Sequence, residues 1–207
     1  MLKIYTLTRN DILGSNCYFL WDGDECAVVD PSVALCEFQN RFPEIQKYKI
    51  KYVLLTHAHA DHFIEIKSYL SEETEVLVSE ADAEALADGR INLSLFLGKE
   101  YCSYTDRYKT LADGECIRLG DTEIKVIYTA GHTPGSVVFL AENKLFTGDT
   151  IFAGGGYGRC DLPLGNAILL RESLKRLLAL DGDYIMYPGH GDSETLACAR
   201  EYFNYLQ

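Results

Sequence analysis

Thr56-His57-Ala58-His59-Ala60-Asp61-His62 decides how the other segments are read. Before it, Tyr52-Val53-Leu54-Leu55 is a short apolar run rich in β-formers, which predicts a buried strand ending at Thr56. After it, Phe63, Ile66, Lys67 and Leu70 recur at helical spacing. Asp61 suits the N-cap or first turn of that helix. The histidines therefore lie in a strand-to-helix loop at the C-terminal edge of a sheet. His57 and His59, two apart in extended chain, point the same way. Small Ala58 and Ala60 let the backbone crowd close around whatever those side chains hold.

The stretch holds three of the five histidines in the chain. The other two sit in glycine-rich turns, Gly131-His132-Thr133-Pro134-Gly135 and Pro188-Gly189-His190-Gly191. A lone Asp149 sits in a third, Leu145-Phe146-Thr147-Gly148-Asp149-Thr150. One His beside a strand is usually an ordinary core or surface residue. This constellation is not, because each member follows a predicted strand and none is left over. Imidazole and carboxylate are the ligand set for zinc, iron or manganese. So many ligands exceed what one tetrahedral ion takes. They divide naturally over two ions, with a carboxylate bridging at the about 3.5–4 Å separation typical of two-metal sites.

Outward from the loop, residues 2–7, 16–21 and 25–30 read as consecutive strands, with turns at Gly14-Ser15 and Asp22-Gly23-Asp24. Val28-Val29-Asp30-Pro31 ends the third at a proline stop, and residues 33–42 read as a short helix. Glu75 to Val78 is another strand. Ser79 with Asp82 three residues on is a capping signature for a helix that stops at Gly89. Residues 91–108, with Phe96, Tyr101, Tyr104 and Tyr108, have no clean period and read as a surface loop or a substrate wall. Gly120-Asp121 and Glu142-Asn143 mark two hairpins. Residues 166–180 form an amphipathic helix, Tyr184 to Tyr187 the last strand, and 193–206 a closing helix.

A chain of 207 residues, 47 % apolar, suits one domain over residues 1–207 with a packed core. The formal net charge of −12 disfavours nucleic acid and anionic membrane surfaces as partners. No apolar run is long enough to span a bilayer. The N-terminus, Met1-Leu2-Lys3-Ile4-Tyr5-Thr6-Leu7, reads as a first strand and has no signal-peptide pattern. Seven cysteines with no Cys-x-x-Cys fit scattered reduced thiols, so a cytoplasmic location is expected. Cys17, Cys26 and Cys116 fall in strand patterns and are expected to fill apolar space. Cys160 is expected to pack near the site.

Five pieces together resemble the metallo-β-lactamase fold hydrolases, and within them the glyoxalase II-like (hydroxyacylglutathione hydrolase-like) group. They are Thr56 to His62, Ala130 to Ser136, Leu145 to Phe152, Gly158-Arg159-Cys160-Asp161-Leu162-Pro163 and Tyr187 to Gly191. The resemblance implies an α/β fold, a four-layer αββα sandwich with the site at one edge between the sheets. It implies two divalent ions, zinc first and iron or manganese as alternatives. One ion would take His57, His59 and His132, the other Asp61, His62 and His190. Asp149 would bridge both, beside a bridging hydroxide that attacks a small-molecule thioester. Asp61 and Asp149 are then the carboxylates closest to catalysis. Thr56, Thr133 and Thr147 become candidates to hydrogen-bond the ligands, and Arg159 with Asp161 a supporting pair behind the site.

Some positions depart from the family pattern. Glu65 stands where the family often has Gly, and Asp192 where it usually has Pro. The closing helix offers only Arg200 as a base, so the glutathione pocket of full-length glyoxalase II is not implied. The main alternative keeps the fold and changes the chemistry. Persulfide dioxygenases resemble the same motifs but use one iron held by two His and one Asp. A metal-stabilised module without activity is the alternative outside enzymes, and the complete ligand set speaks against it.

Overall fold

The computed structural model describes residues 1–47, 49–97, 104 and 106–206. Its first sheet runs in the order β1 (Lys3–Thr8), β2 (Asn16–Asp22), β3 (Glu25–Val29), β4 (Lys49–Leu54), β5 (Glu75–Ser79), β6 (Lys109–Leu111). The first three strands are an antiparallel meander, and β3 to β6 pair in parallel. The second sheet runs from β7 (Cys116–Leu119) through β8 (Thr122–Tyr128), β9 (Val137–Ala141), β10 (Lys144–Gly148) and β11 (Ile185–Pro188) to β12 (Glu194–Thr195). There β10 and β11 pair in parallel and the others antiparallel. Four α-helices are described: α1 (Leu35–Arg41), α2 (Ala60–Phe63), α3 (Ala167–Leu178) and α4 (Leu196–Tyr202).

Strand side chains alternate faces, and here both faces of both sheets are buried. Tyr18, Leu20, Val29, Leu54 and Leu77 point from the first sheet to meet Ile124, Val126, Phe139 and Phe146 of the second. Their neighbours Phe19, Val28, Val53 and Val78 point outward beneath Phe38 of α1, Phe63 of α2 and Tyr69. On the far side Ile127, Val138, Leu145 and Met186 lie under Leu170, Leu174 and Leu177 of α3 and Phe203 beyond α4. Three apolar layers between four structural layers make the αββα sandwich.

Several local expectations are corrected. The segment after His62 is not one helix. The four-residue α2 is followed by a 3-10 turn, Ile66–Tyr69. Between them the Glu65 amide leaves the helical ladder and donates to the Pro31 carbonyl at 3.0 Å. Ser79 makes no side-chain cap, and Glu80–Ala87 is 3-10 rather than α. Its Asp82 is drawn away by stronger partners in the site. Cys17 and Cys26 are buried fillers, whereas Cys116 is exposed at the start of β7. Residues 193–206 begin with the edge strand β12 before α4 starts. In the 91–108 segment Phe96 and Tyr108 are exposed and Tyr104 is buried. Tyr101 lies outside the described residues.

Candidate metal centre

All the histidines reach one end of the sandwich because each follows a strand that ends there. The loop after β4 brings His57, His59, Asp61 and His62, the turn after β8 brings His132, and β10 delivers Asp149. The parallel pairing of β10 with β11 sets Gly148 opposite Pro188, which carries His190 to the same edge. Backbone hydrogen bonds lock the loops across the two sheets, Val137 N donating to Thr56 O at 2.8 Å and Asn16 N to Gly189 O at 2.7 Å, and within the second sheet Gly189 N donates to Gly148 O at 2.8 Å.

Ligand-type atoms of His57, His59 and His132 lie within 4.8 Å of one another, and so do those of Asp61, His62 and His190. A third such group, Asp30 with His57 and His62, links the two. Asp149 stands between them. Its Oδ1 is 3.4 Å from His62 Nε2, and its Oδ2 is 3.5 Å from both His132 Nε2 and His190 Nε2. The first group is sealed, with His57, His59 and His132 at 1 %, 4 % and 2 % exposure. The second opens to solvent through the side chains of His190 and Asp61, 29 % and 15 % exposed.

The partners assign the imidazole tautomers. His62 Nδ1 donates to Asp30 Oδ2 at 3.0 Å, His132 Nδ1 to the Arg159 carbonyl at 2.7 Å and His190 Nδ1 to the Leu13 carbonyl at 2.8 Å. Thr56 Oγ1 donates to Asp30 Oδ2 at 2.7 Å, which frees it to accept from His57 Nδ1 at 3.1 Å. Four Nε2 atoms are thereby turned inward, while His59 meets His132 Nε2 through its own Nδ1 at 2.8 Å. Outer partners of this kind fix ligand orientation and basicity.

The electrostatics agree. Burial, reinforced by neighbouring imidazoles, pushes His57 well down and His59 to about 3, so both stay neutral, the ligand form. Burial also opposes a charged His62, yet the carboxylates of Asp61, Asp149 and Asp30 outweigh it and lift its pKa to about 10. Asp149 responds in kind: burial would raise it, but the imidazoles of His62, His190 and His57 hold it well below the carboxylate range. The centre thus draws positive charge.

Three buried polar atoms here have no hydrogen-bond partner, His57 Nε2, His59 Nε2 and Asp149 Oδ1. Such atoms are costly to bury unless something binds them. The backbone has been cleared to match. A Cβ on Gly189 would fall 2.1 Å from Asp149 Oδ1, and one on Gly158 would fall 2.8 Å from His132 Nδ1. Orphaned nitrogens, a demand for positive charge and an imidazole–carboxylate donor set fit a divalent metal.

The chain matches the metallo-beta-lactamase superfamily model over residues 10–190. It belongs to that superfamily. It is 30 % identical over 195 residues to the hydroxyacylglutathione hydrolase GloC of Haemophilus influenzae, covering 87 % of each chain. The crystal structure of BLEG-1, a B3 metallo-beta-lactamase, superposes with a TM-score of 0.84 at 26 % identity over 100 % of both chains. That of TTHA1623 in a di-iron-bound form gives 0.78 at 27 % identity, over 94 % of this chain and 96 % of that one. The superfamily relationship makes the chain a metallo-hydrolase type with a site for divalent metal. No described helix is long and apolar enough to cross a membrane.

The supporting residues sort unevenly. Thr56 touches His57, and Thr133 Oγ1 donates to Asp82 Oδ2 at 2.7 Å, one step behind the histidines. Thr147 Oγ1 donates to the Ile151 carbonyl at 2.9 Å, within its own turn. The Arg159 and Asp161 side chains pair at 2.8 Å with 68 % and 69 % exposure, and only the Arg159 carbonyl meets a histidine. Two buried aspartates carry more. Asp30 accepts from Thr56 N, Thr56 Oγ1 and His62 Nδ1 in a left-handed conformation, φ 50°. Asp82 accepts from Ala58 N at 3.0 Å, Thr133 Oγ1 at 2.7 Å and Gly135 N at 2.7 Å, stapling the His57–His62 loop to the His132 turn. Their sequence signals, an Asp-Pro strand end and a false helix cap, pointed to punctuation instead. Ser15, which donates to Asp61 Oδ2 at 2.7 Å, carried no signal beyond a turn.

Proposed function

We propose that this chain is a hydrolase of small-molecule thioesters working with two divalent ions, zinc first, with iron or manganese as alternatives. His57, His59 and His132 would hold one ion, Asp61, His62 and His190 the other, and Asp149 would bind both. The observation that carries the reading is the position of the Asp149 carboxylate, with its oxygens within 3.5 Å of imidazoles from both groups. Divalent ions supply Lewis acidity there, polarising a carbonyl and acidifying water to a pKa of about 7.

The chain's own groups set the direction of reaction. Ser15 Oγ donates to Asp61 Oδ2 at 2.7 Å and so orients the oxygen that lies 3.5 Å from both His62 Nε2 and His190 Nε2. The half-open side, at His190 and Asp61, admits substrate, while His57, His59 and His132 are almost fully buried. A thiolate leaves without general-acid help, so thioester cleavage asks for no proton donor at the leaving group. The relationship to a hydroxyacylglutathione hydrolase supports a thioester over a lactam.

The test combines metal analysis with turnover. Protein loaded with zinc is assayed on lactoylglutathione and simpler thioesters, and iron-loaded protein on glutathione persulfide with oxygen uptake. Two ions per chain, and thioester cleavage that Asp149→Asn abolishes, are expected. One iron per chain with persulfide-dependent oxygen uptake would replace this reading with the dioxygenase.

A further inference from the structure

A small cavity of ≈ 70 Å³ opens beside the buried histidines, and His59 is one of its walls. The other walls are mostly small or aliphatic: Ala81, Ala85, Ile91, Pro134, Pro163 and Leu164. They come from four separate segments, so the hollow is built by the tertiary fold and not by one loop. Leu164 is held in the left-handed region at φ 64°, where a leucine is strained, and stays 58 % exposed. Backbone strain that displays an apolar side chain beside a reactive centre marks a functional surface.

Charge around the cavity is one-sided. Glu84 and Asp82 contribute carboxylates to it. Among the described residues, the arginines flanking its walls in sequence are already engaged. Arg90, next to Ile91, pairs with Asp88 at 2.6 Å, and Arg159, before Pro163, pairs with Asp161 at 2.8 Å. A carboxylate-bearing group entering here would meet like charge and lose its hydration without a partner. An uncharged aliphatic chain would instead bury its methylenes against three alanines, isoleucine, leucine and proline.

We infer that this cavity is the acyl pocket, and that it selects short, uncharged aliphatic acyl groups against acyl groups ending in a carboxylate. The inference rests on the thioester reading above. The bulky, polar thiol half of a substrate does not suit a small apolar hollow, so that half lies on the open side near His190.

The experiment uses acetyl-, butyryl- and succinyl-N-acetylcysteamine as substrates of the metal-loaded protein, with Ala81→Phe and Glu84→Lys, two substitutions at exposed positions. Wild type is expected to favour butyryl over acetyl by at least about tenfold in kcat/KM, the lower range for methylene discrimination, and to favour butyryl over succinyl several-fold, because the added carboxylate meets Glu84 and Asp82. Ala81→Phe should collapse the butyryl-to-acetyl ratio, and Glu84→Lys should raise the succinyl-to-butyryl ratio several-fold. Ratios that do not move in either variant overturn the pocket and leave the thioesterase reading standing. A second readout is independent of turnover. The butyryl ketone analogue with methylene in place of sulfur should shift the methyl resonances of Ala81, Ala85 and Ile91. Shifts without hydrolysis of any thioester would keep the pocket and remove the thioesterase; silent methyls overturn the pocket.

Discussion

The two halves of the candidate metal centre, three histidines on one side and Asp61 with two histidines on the other, differ most in what surrounds them. His57, His59 and His132 are sealed between the sheets, and Asp82 ties their two loops together through backbone amides. Asp61, His62 and His190 sit where the sheets part, and their supports are lighter: Ser15 on Asp61, the Leu13 carbonyl on His190. Only His62 in that group is fully buried, and Asp30 holds it. Under the proposed function, substrate exchange would belong to the open half and persistence of metal to the sealed one.

The largest effect comes from Asp149, which both halves share. Asp149→Asn removes the charge that each group of imidazoles leans on, so both halves should fail together. The loss in kcat/KM should exceed the about 100-fold ceiling expected for a residue that only supports a ligand. Gly189→Ala should approach it without removing a ligand, because its Cβ would fall 2.1 Å from Asp149 Oδ1 and 2.7 Å from His62 Cε1. Metal content by mass spectrometry and steady-state kinetics check both. Retention of one ion in Asp149→Asn would show that the halves are independent.

The next effect separates the halves. Asn tolerates a left-handed backbone, so Asp30→Asn spares the φ of 50°. An amide has one acceptor oxygen, though, and Asp30 serves three donors. Metal affinity should drop about 10–100-fold, first in the open half through His62, then through Thr56 and His57. Asp82→Asn should weaken the sealed half alone, because its donors are Ala58, Thr133 and Gly135 and none belongs to the open side. Titration of metal against a competing chelator reads the two affinities. If both variants loosen the same ion, the division into halves is wrong.

The contrast also explains what the sequence could disclose. Strands carrying apolar residues on both faces, and histidines placed just past them, are local patterns, so strands and histidine-bearing turns were legible one by one, and the resemblance of five motifs to a known family supplied the sandwich and the convergence of those turns. Asp30 and Asp82 were not. Each owes its role to donors far away in the chain: Thr56 and His62 for the first, Ala58, Thr133 and Gly135 for the second. Locally, Asp30-Pro31 looks like a strand stop, and Ser79 with Asp82 looks like a cap. The same competition broke the helix expected after His62, where the Glu65 amide found the Pro31 carbonyl. The edge strand β12 was hidden for a related reason, since its partner β11 lies across a turn and its own residues, Glu194 and Thr195, carry no apolar pattern.

The smallest effect tests a motif against its geometry. Gly158-Arg159-Cys160-Asp161 looks like support for the site, and one atom of it is: the Arg159 carbonyl accepts from His132 Nδ1 at 2.7 Å. Any residue provides that carbonyl. The guanidinium and the Asp161 carboxylate face solvent and bind each other at 2.8 Å, and exposed pairs of this kind commonly contribute nothing measurable. Arg159→Ala and Asp161→Ala should therefore leave metal content, Tm and kcat/KM within error, whereas Gly158→Ala, whose Cβ would fall 1.9 Å from the Asp149 carbonyl, should not. A tenfold loss of kcat/KM in Arg159→Ala at full metal content would mean that the guanidinium leaves Asp161 to hold substrate, and the open half of the centre would then extend across this loop.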